Sequence, residues 1–171
     1  SGYAVGPSRA NPFTGELYDA DIRISADYVR FFFTEYDEYI QSLLQEPNIT
    51  HNKNEPGVTK EYICNYAKER KNQMAFIWNY MTLNGRVKNT QEELNKFIYQ
   101  GIVDLILHEV GHTLGLRHNF RASSVYSIEQ LSDSTFTNNN GTASSVMDYT
   151  PANTFDNGGT FFLTKPGKYD F

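Results

Sequence analysis

The eleven residues His108–His118, HEVGHTLGLRH, restrict this chain more than any other stretch. His108 and His112 are four apart, so a helix through them puts both imidazoles on one face, one turn apart. Glu109 lies beside the first. Gly115 stands where that helix must stop and turn, and His118 then returns from the turned chain. Three neutral imidazoles with a carboxylate alongside suit a metal ion with one open position. Zinc fits this ligand set best. A fourth position left to water lowers the water's pKa to about 7. Glu109, one residue past a ligand, reaches that water rather than the metal, as a general base must. The reaction class these roles imply is amide hydrolysis.

Other readings of the same residues stay open. A closed structural zinc site needs a fourth protein ligand. His51, in a polar loop, is the remaining histidine, and Cys64 falls mid-helix, where it reads more simply as core. A catalytically silent zinc- or peptide-binding domain would keep the same three ligands, although retention of Glu109 speaks against it.

At 171 residues one domain, 1–171, is the default, and twelve Tyr with twelve Phe imply a packed globule. A net charge of −5 without a basic stripe speaks against a nucleic-acid partner. No apolar run has the length of a membrane span. The lone Cys64 excludes an internal disulfide framework. There is no signal peptide, and the chain reads as a mature or excised domain.

The pattern along the chain predicts an α+β fold. Tyr3 to Ser8 is expected to pair with Leu17 to Ile24 around a turn at Asn11 to Gly15, and alternation from Ala20 onward suggests a half-buried strand. Ser25 caps a helix to about Glu46, with a stripe at Val29, Phe32, Phe33, Tyr36, Ile40, Leu43 and Leu44. A polar loop, 47–58, follows. A second long helix runs from after Thr59 to near Gly85 on Ile63, Tyr66, Ala67, Met74, Ile77 and Met81. Thr90 and Glu93 form a capping box. They open the helix that buries Leu94, Phe97, Ile98, Ile102, Leu105 and Ile106 and carries the first two histidines. Gly101 is placed to kink it. Beyond His118 the chain is mostly irregular, with a short helix after Ser127 and a surface loop over 132–145.

HEVGHTLGLRH resembles the long zinc signature of the metzincin metallopeptidases, HExxHxxGxxH. Ser144-Ser145-Val146-Met147-Asp148-Tyr149 resembles that family's Met-turn. The resemblance implies that His108, His112 and His118 bind zinc, that Glu109 is the base and that Met147 forms a floor beneath the site without being a ligand. It also implies that Tyr149 either stabilises the tetrahedral intermediate or packs structurally. The segment from Thr150-Pro151-Ala152-Asn153 onward would shape the primary specificity pocket. A protein or peptide substrate would pair with an edge strand near Tyr3 to Pro7, and earlier strands of the sheet would then lie upstream in a longer chain with further domains. Asn119 departs from the acid or proline common after the third histidine, so the better-known subfamilies fit poorly. Together with AVGPSRANPFTGELYDADI and SSVMDYTPAN, the pattern resembles a group of secreted or cell-surface bacterial metzincins of the kind found in gut Bacteroidetes. This implies a secreted, periplasmic or surface location.

Weaker features complete the sequence. Asp19, Asp21, Asp133, Asp148 and Asp156 are candidates for a calcium ion, which metzincins often hold, against a plainer role as turn-forming acids. Asp104 and Asp148 are candidates to orient a ligand histidine. Arg9 and Arg121 either meet substrate carboxylates or are solvated. Asn48 and Asn140 open glycosylation sequons.

Overall fold

The helix through the histidines runs unbroken from Gln91 to Thr113 in the computed structural model, which describes residues 4–5, 8–24, 26, 30, 66–155 and 159–170. The helix expected over 25–46, the loop over 47–58, His51 and Cys64 lie outside the described residues, save that Ala26 and Arg30 are helical. The long helices that are described are α1 (Tyr66–Leu83) and α2 (Gln91–Thr113).

Local chemistry sets both ends of α2. The Thr90 hydroxyl accepts a hydrogen bond from the Glu93 amide at 3.3 Å, satisfying one of the free donors of the first turn. Replacing Thr90 by Ala is expected to lower stability by about 1 kcal/mol, readable as a reduced urea midpoint. At the other end Gly115 has φ +86°, a conformation that a side chain disfavours. It lets the Leu116 amide reach the Gly111 carbonyl at 2.9 Å and the Gly115 amide reach that of His112 at 3.0 Å. These paired bonds close the helix and reverse the chain towards His118.

The core lies between α1 and α2. Met74, Ile77, Trp78 and Met81 pack on Leu94, Phe97, Ile98 and Leu105, with Ala152 and Phe162 closing the layer. Phe97 is its centre, with ring centroids 5.4 Å from Trp78, 5.3 Å from Phe161 and 5.0 Å from Phe162. Ile106, expected on the buried face, is exposed, and Ile102 is only partly buried. The buried stripe turns instead through Gly101, Asp104, His108 and Glu109. Gly101 does not interrupt the helix. A Cβ there would overlap the Met74 thioether, so the glycine serves close approach of α1 to α2.

At the N-terminus β1 (Ala4–Val5) pairs antiparallel with β4 (Arg23–Ile24), and β2 (Ser8–Ala10) with β3 (Leu17–Ala20). The expected hairpin is present, with an irregularity between Arg9 and Ala10. Its turn is closed by the Gly15 amide on the Asn11 carbonyl and the Asn11 amide on that of Glu16, both at 2.8 Å. The expected half-burial is not met. β2 and β3 are exposed throughout, because none of the described elements covers them. Ile24 packs against the core and β1 touches α2.

The stretch 132–145 is not a surface loop. Asp133 caps a helix by accepting from the Thr135 amide at 2.8 Å. After α3 (Ile128–Leu131), with its Ser127/Gln130 capping box, this gives α4 (Ser134–Asn140). Residues 141–148 are then buried. Their small hydroxyl side chains hydrogen-bond to the backbone, as Ser144 does to the Ala122 carbonyl at 3.0 Å, so a polar composition does not force them outward. No described helix is long and apolar enough to cross a membrane.

Candidate metal centre

The last turns of α2 and the reversal at Gly115 bring three ring nitrogens together. Nε2 of His118 lies 3.3 Å from Nε2 of His108 and 3.2 Å from Nε2 of His112. All three ligand atoms fall within 4.8 Å of one another. Nitrogens held at about 2.0–2.1 Å from one tetrahedral ion stand about 3.3–3.4 Å apart, close to the separations of His118 from each of the other two.

The opposite ring nitrogens explain why the lone pairs converge. Nδ1 of His108 faces the Val146 carbonyl at 2.7 Å, and Nδ1 of His112 faces the Leu116 carbonyl at 3.2 Å. A carbonyl only accepts, so both Nδ1 atoms carry the hydrogen and both neutral rings present an unprotonated Nε2. Burial, and then neighbouring His112, hold His118 below the ordinary histidine range, which favours a neutral ring here too.

Glu109 is 1% exposed, and its Oε1 is buried with no hydrogen-bond partner among the described residues. Burial pushes its carboxyl up to about 7. An orphaned acceptor of this kind calls for a missing partner, and a carboxyl that gains and loses a proton near neutrality suits acid–base work.

Residues 90–171 match the family model described as Met-zincin. The match covers a little under half of the chain, and no curated protein or solved structure matches it. Together with the histidine cluster it supports a zinc metallopeptidase.

Within this Met-zincin-like stretch, Met147 is 1% exposed and packs against α2 at Gly111, where a Cβ would overlap its sulfur. The Asn119 amide donates to the Met147 carbonyl at 2.9 Å, which joins this turn to the loop after His118. Tyr149 sets its hydroxyl 3.3 Å from Nε2 of His118, with the two rings edge-on at 4.9 Å. Phe120, largely exposed, lies edge-on to Tyr149 at 5.3 Å. Thr150 to Phe155 line a cavity of about 520 Å³ with Phe76, Ile77 and Tyr80 of α1.

Several sequence candidates lie elsewhere. Asp148 does not orient a histidine. It accepts from the Ser123 and Tyr149 amides, each at 2.7 Å, while Asp104 is buried one turn before His108. Among the described residues, the acids offered for calcium form no common cluster. Asp19 pairs with Arg9 across the hairpin and Asp21 with Arg23, Asp133 caps α4, and Asp156 is outside the described residues. Calcium therefore has no support, and Arg9 is engaged within the hairpin. Three participants escaped the sequence reading: the Val146 and Leu116 carbonyls, and Phe120. Backbone carbonyls carry no residue-type signal, and a lone aromatic two places past a ligand has no spacing rule to mark it.

Proposed function

We propose that the chain is a zinc-dependent endopeptidase in which His108, His112 and His118 hold the ion and Glu109 is the general base. The observation that carries this is the convergence of three Nε2 atoms at the end of the helix on which Glu109, next to His108, keeps a buried carboxylate oxygen without a hydrogen-bond partner among the described residues. When bound, zinc supplies a polarised water and an electrophilic contact to the scissile carbonyl. Glu109 takes the proton of the attacking water on a carboxylate oxygen and later passes it to the leaving amine. The Tyr149 hydroxyl donates a hydrogen bond to the oxygen on which charge develops. Met147 supports the ligands from beneath, as the floor of a Met-turn.

The peptide is held extended, with β1 beside α2 as the edge available for strand addition. Its first side chain past the scissile bond enters the cavity walled by Thr150 to Phe155 and by Phe76, Ile77 and Tyr80. The apolar lining favours an aliphatic or aromatic residue there. The likeness to secreted and surface bacterial metzincins supports a location outside the cytoplasm and a place in a longer protein.

Cleavage of a quenched protein substrate tests the reading. Activity is expected with zinc, is lost on chelation and returns when zinc is restored. Activity that persists in chelator would end the proposal. Tyr149→Phe is expected to lower kcat about 10-fold with KM nearly unchanged, because the lost bond forms only in the transition state. Steady-state kinetics on one fluorogenic peptide separates the two constants.

A further inference from the structure

Asp170 lies 52 positions after the last histidine, yet its carboxylate is buried in the turn that carries Met147. One oxygen accepts from the Ser145 hydroxyl. The other accepts from the Val146 amide at 3.0 Å and from the Gly167 amide at 2.7 Å. The Ser145 oxygen in turn accepts from the Met147 amide at 3.1 Å. That amide shares its peptide group with the Val146 carbonyl, which receives Nδ1–H of His108 at 2.7 Å.

We propose that Asp170 is the orienting carboxylate of ligand His108, acting through the Ser145 hydroxyl and the Val146–Met147 peptide. Ligand histidines commonly give their second N–H to a carboxylate or a carbonyl, which sets the ring's tautomer and strengthens its other nitrogen as a donor. Here the two devices stand in series. Asp170 takes the Ser145 hydrogen, so the serine's lone pairs are left for the Met147 amide. The amide so bonded polarises its own carbonyl, and hydrogen bonds in such a chain strengthen one another. The Tyr169 amide on the Ser144 carbonyl at 2.9 Å holds the C-terminal segment against the turn from outside. Asp170 is thus a positioning residue for the metal ligand and touches neither ion nor substrate.

The inference rests on the three-histidine zinc site, and its test separates the two. Zinc affinity of the full chain is measured by competition with a chromophoric chelator for wild type, His118→Ala, Asp170→Asn, Ser145→Ala and the Asp170→Asn/Ser145→Ala pair. Thermal unfolding of each metal-free chain is followed alongside. Asp170→Asn and Ser145→Ala are each expected to weaken zinc binding about 10-fold or more. The double variant should be little weaker than the worse single one, because both changes cut one path. A purely structural role would lower the unfolding midpoint and leave the affinity of the folded chain as it was. Ser145→Ala that folds and binds zinc within about twofold of wild type overturns the inference, whether or not Asp170→Asn folds. Wild-type affinity that survives His118→Ala overturns the three-histidine site, and this inference with it.

Discussion

Glu109→Gln is expected to abolish peptide hydrolysis while leaving zinc bound. The amide keeps the size of the side chain and cannot take a proton from water, so the loss should be about 10³-fold, in the range of a removed general base. The three imidazoles are untouched, so zinc should still bind at one ion per chain. Stability should move the other way. The ordinary carboxyl value is 4.5, and burial lifts that of Glu109 to about 7. The metal-free folded chain therefore prefers the protonated acid. Its contribution is intact below about pH 4.5 and is lost as pH rises through 7. Above that point the ionised group costs roughly 3 kcal/mol, and glutamine, which does not titrate, avoids it. Urea unfolding of the two metal-free chains should agree near pH 5 and favour Glu109→Gln at pH 8. A variant that is less stable at pH 8, or that still cleaves at a tenth of the wild-type rate, contradicts these roles.

That opposition explains why a folded chain tolerates a buried carboxylate oxygen that has no partner among the described residues. A site that leaves an acceptor unsatisfied is less stable than its surroundings allow, and the deficit is offset by the core between α1 and α2. Phe97 sits three turns before His108 on the same helix, and its three aromatic neighbours clamp the element that carries two of the ligands. Rigidity in the helix is what keeps two imidazoles in register for the third.

The legible parts of this molecule were those whose signal is local. The spacing of His108, His112, Gly115 and His118 follows from helix period and the glycine stop. Thr90, Ser127 and the Asn11–Gly15 turn are set within a few residues of chain. What was illegible depends on contacts between distant segments. Gly101 reads as a kink in the helix, but it leaves room for a methionine sulfur from elsewhere, as Gly111 also does. The polar run 132–145 reads as loop because composition cannot show that Ser144 finds the Ala122 carbonyl. Asp148 was offered to a histidine on the strength of residue type, and two nearby amides claimed it instead. Strand alternation near Ala20 suggested a covered face, and covering requires a second layer that no single strand encodes.

Gly167→Ala is the most damaging single-carbon change expected outside the core. A Cβ at this position would overlap the carbonyl carbon and oxygen of Ser144 and the amide nitrogen of Ser145. These are backbone atoms in a buried turn, so nothing can rotate away. The C-terminal segment must lift, which breaks the Tyr169 amide's bond to Ser144 and carries the Asp170 carboxylate away from Ser145 and Val146. Overpacking of this kind with loss of buried hydrogen bonds should cost about 2–4 kcal/mol, a fall of very roughly 10 °C in Tm for a chain of this length. Gly111→Ala is the instructive contrast. Its Cβ meets the sulfur of Met147, and a thioether on three rotatable bonds can move aside. The expected order of Tm is wild type, then Gly111→Ala, then Gly167→Ala. Calorimetry of the zinc-loaded chains reads it directly, and a Gly167→Ala chain within about 1 kcal/mol of wild type would mean that residues 167–170 are not packed flush against the turn.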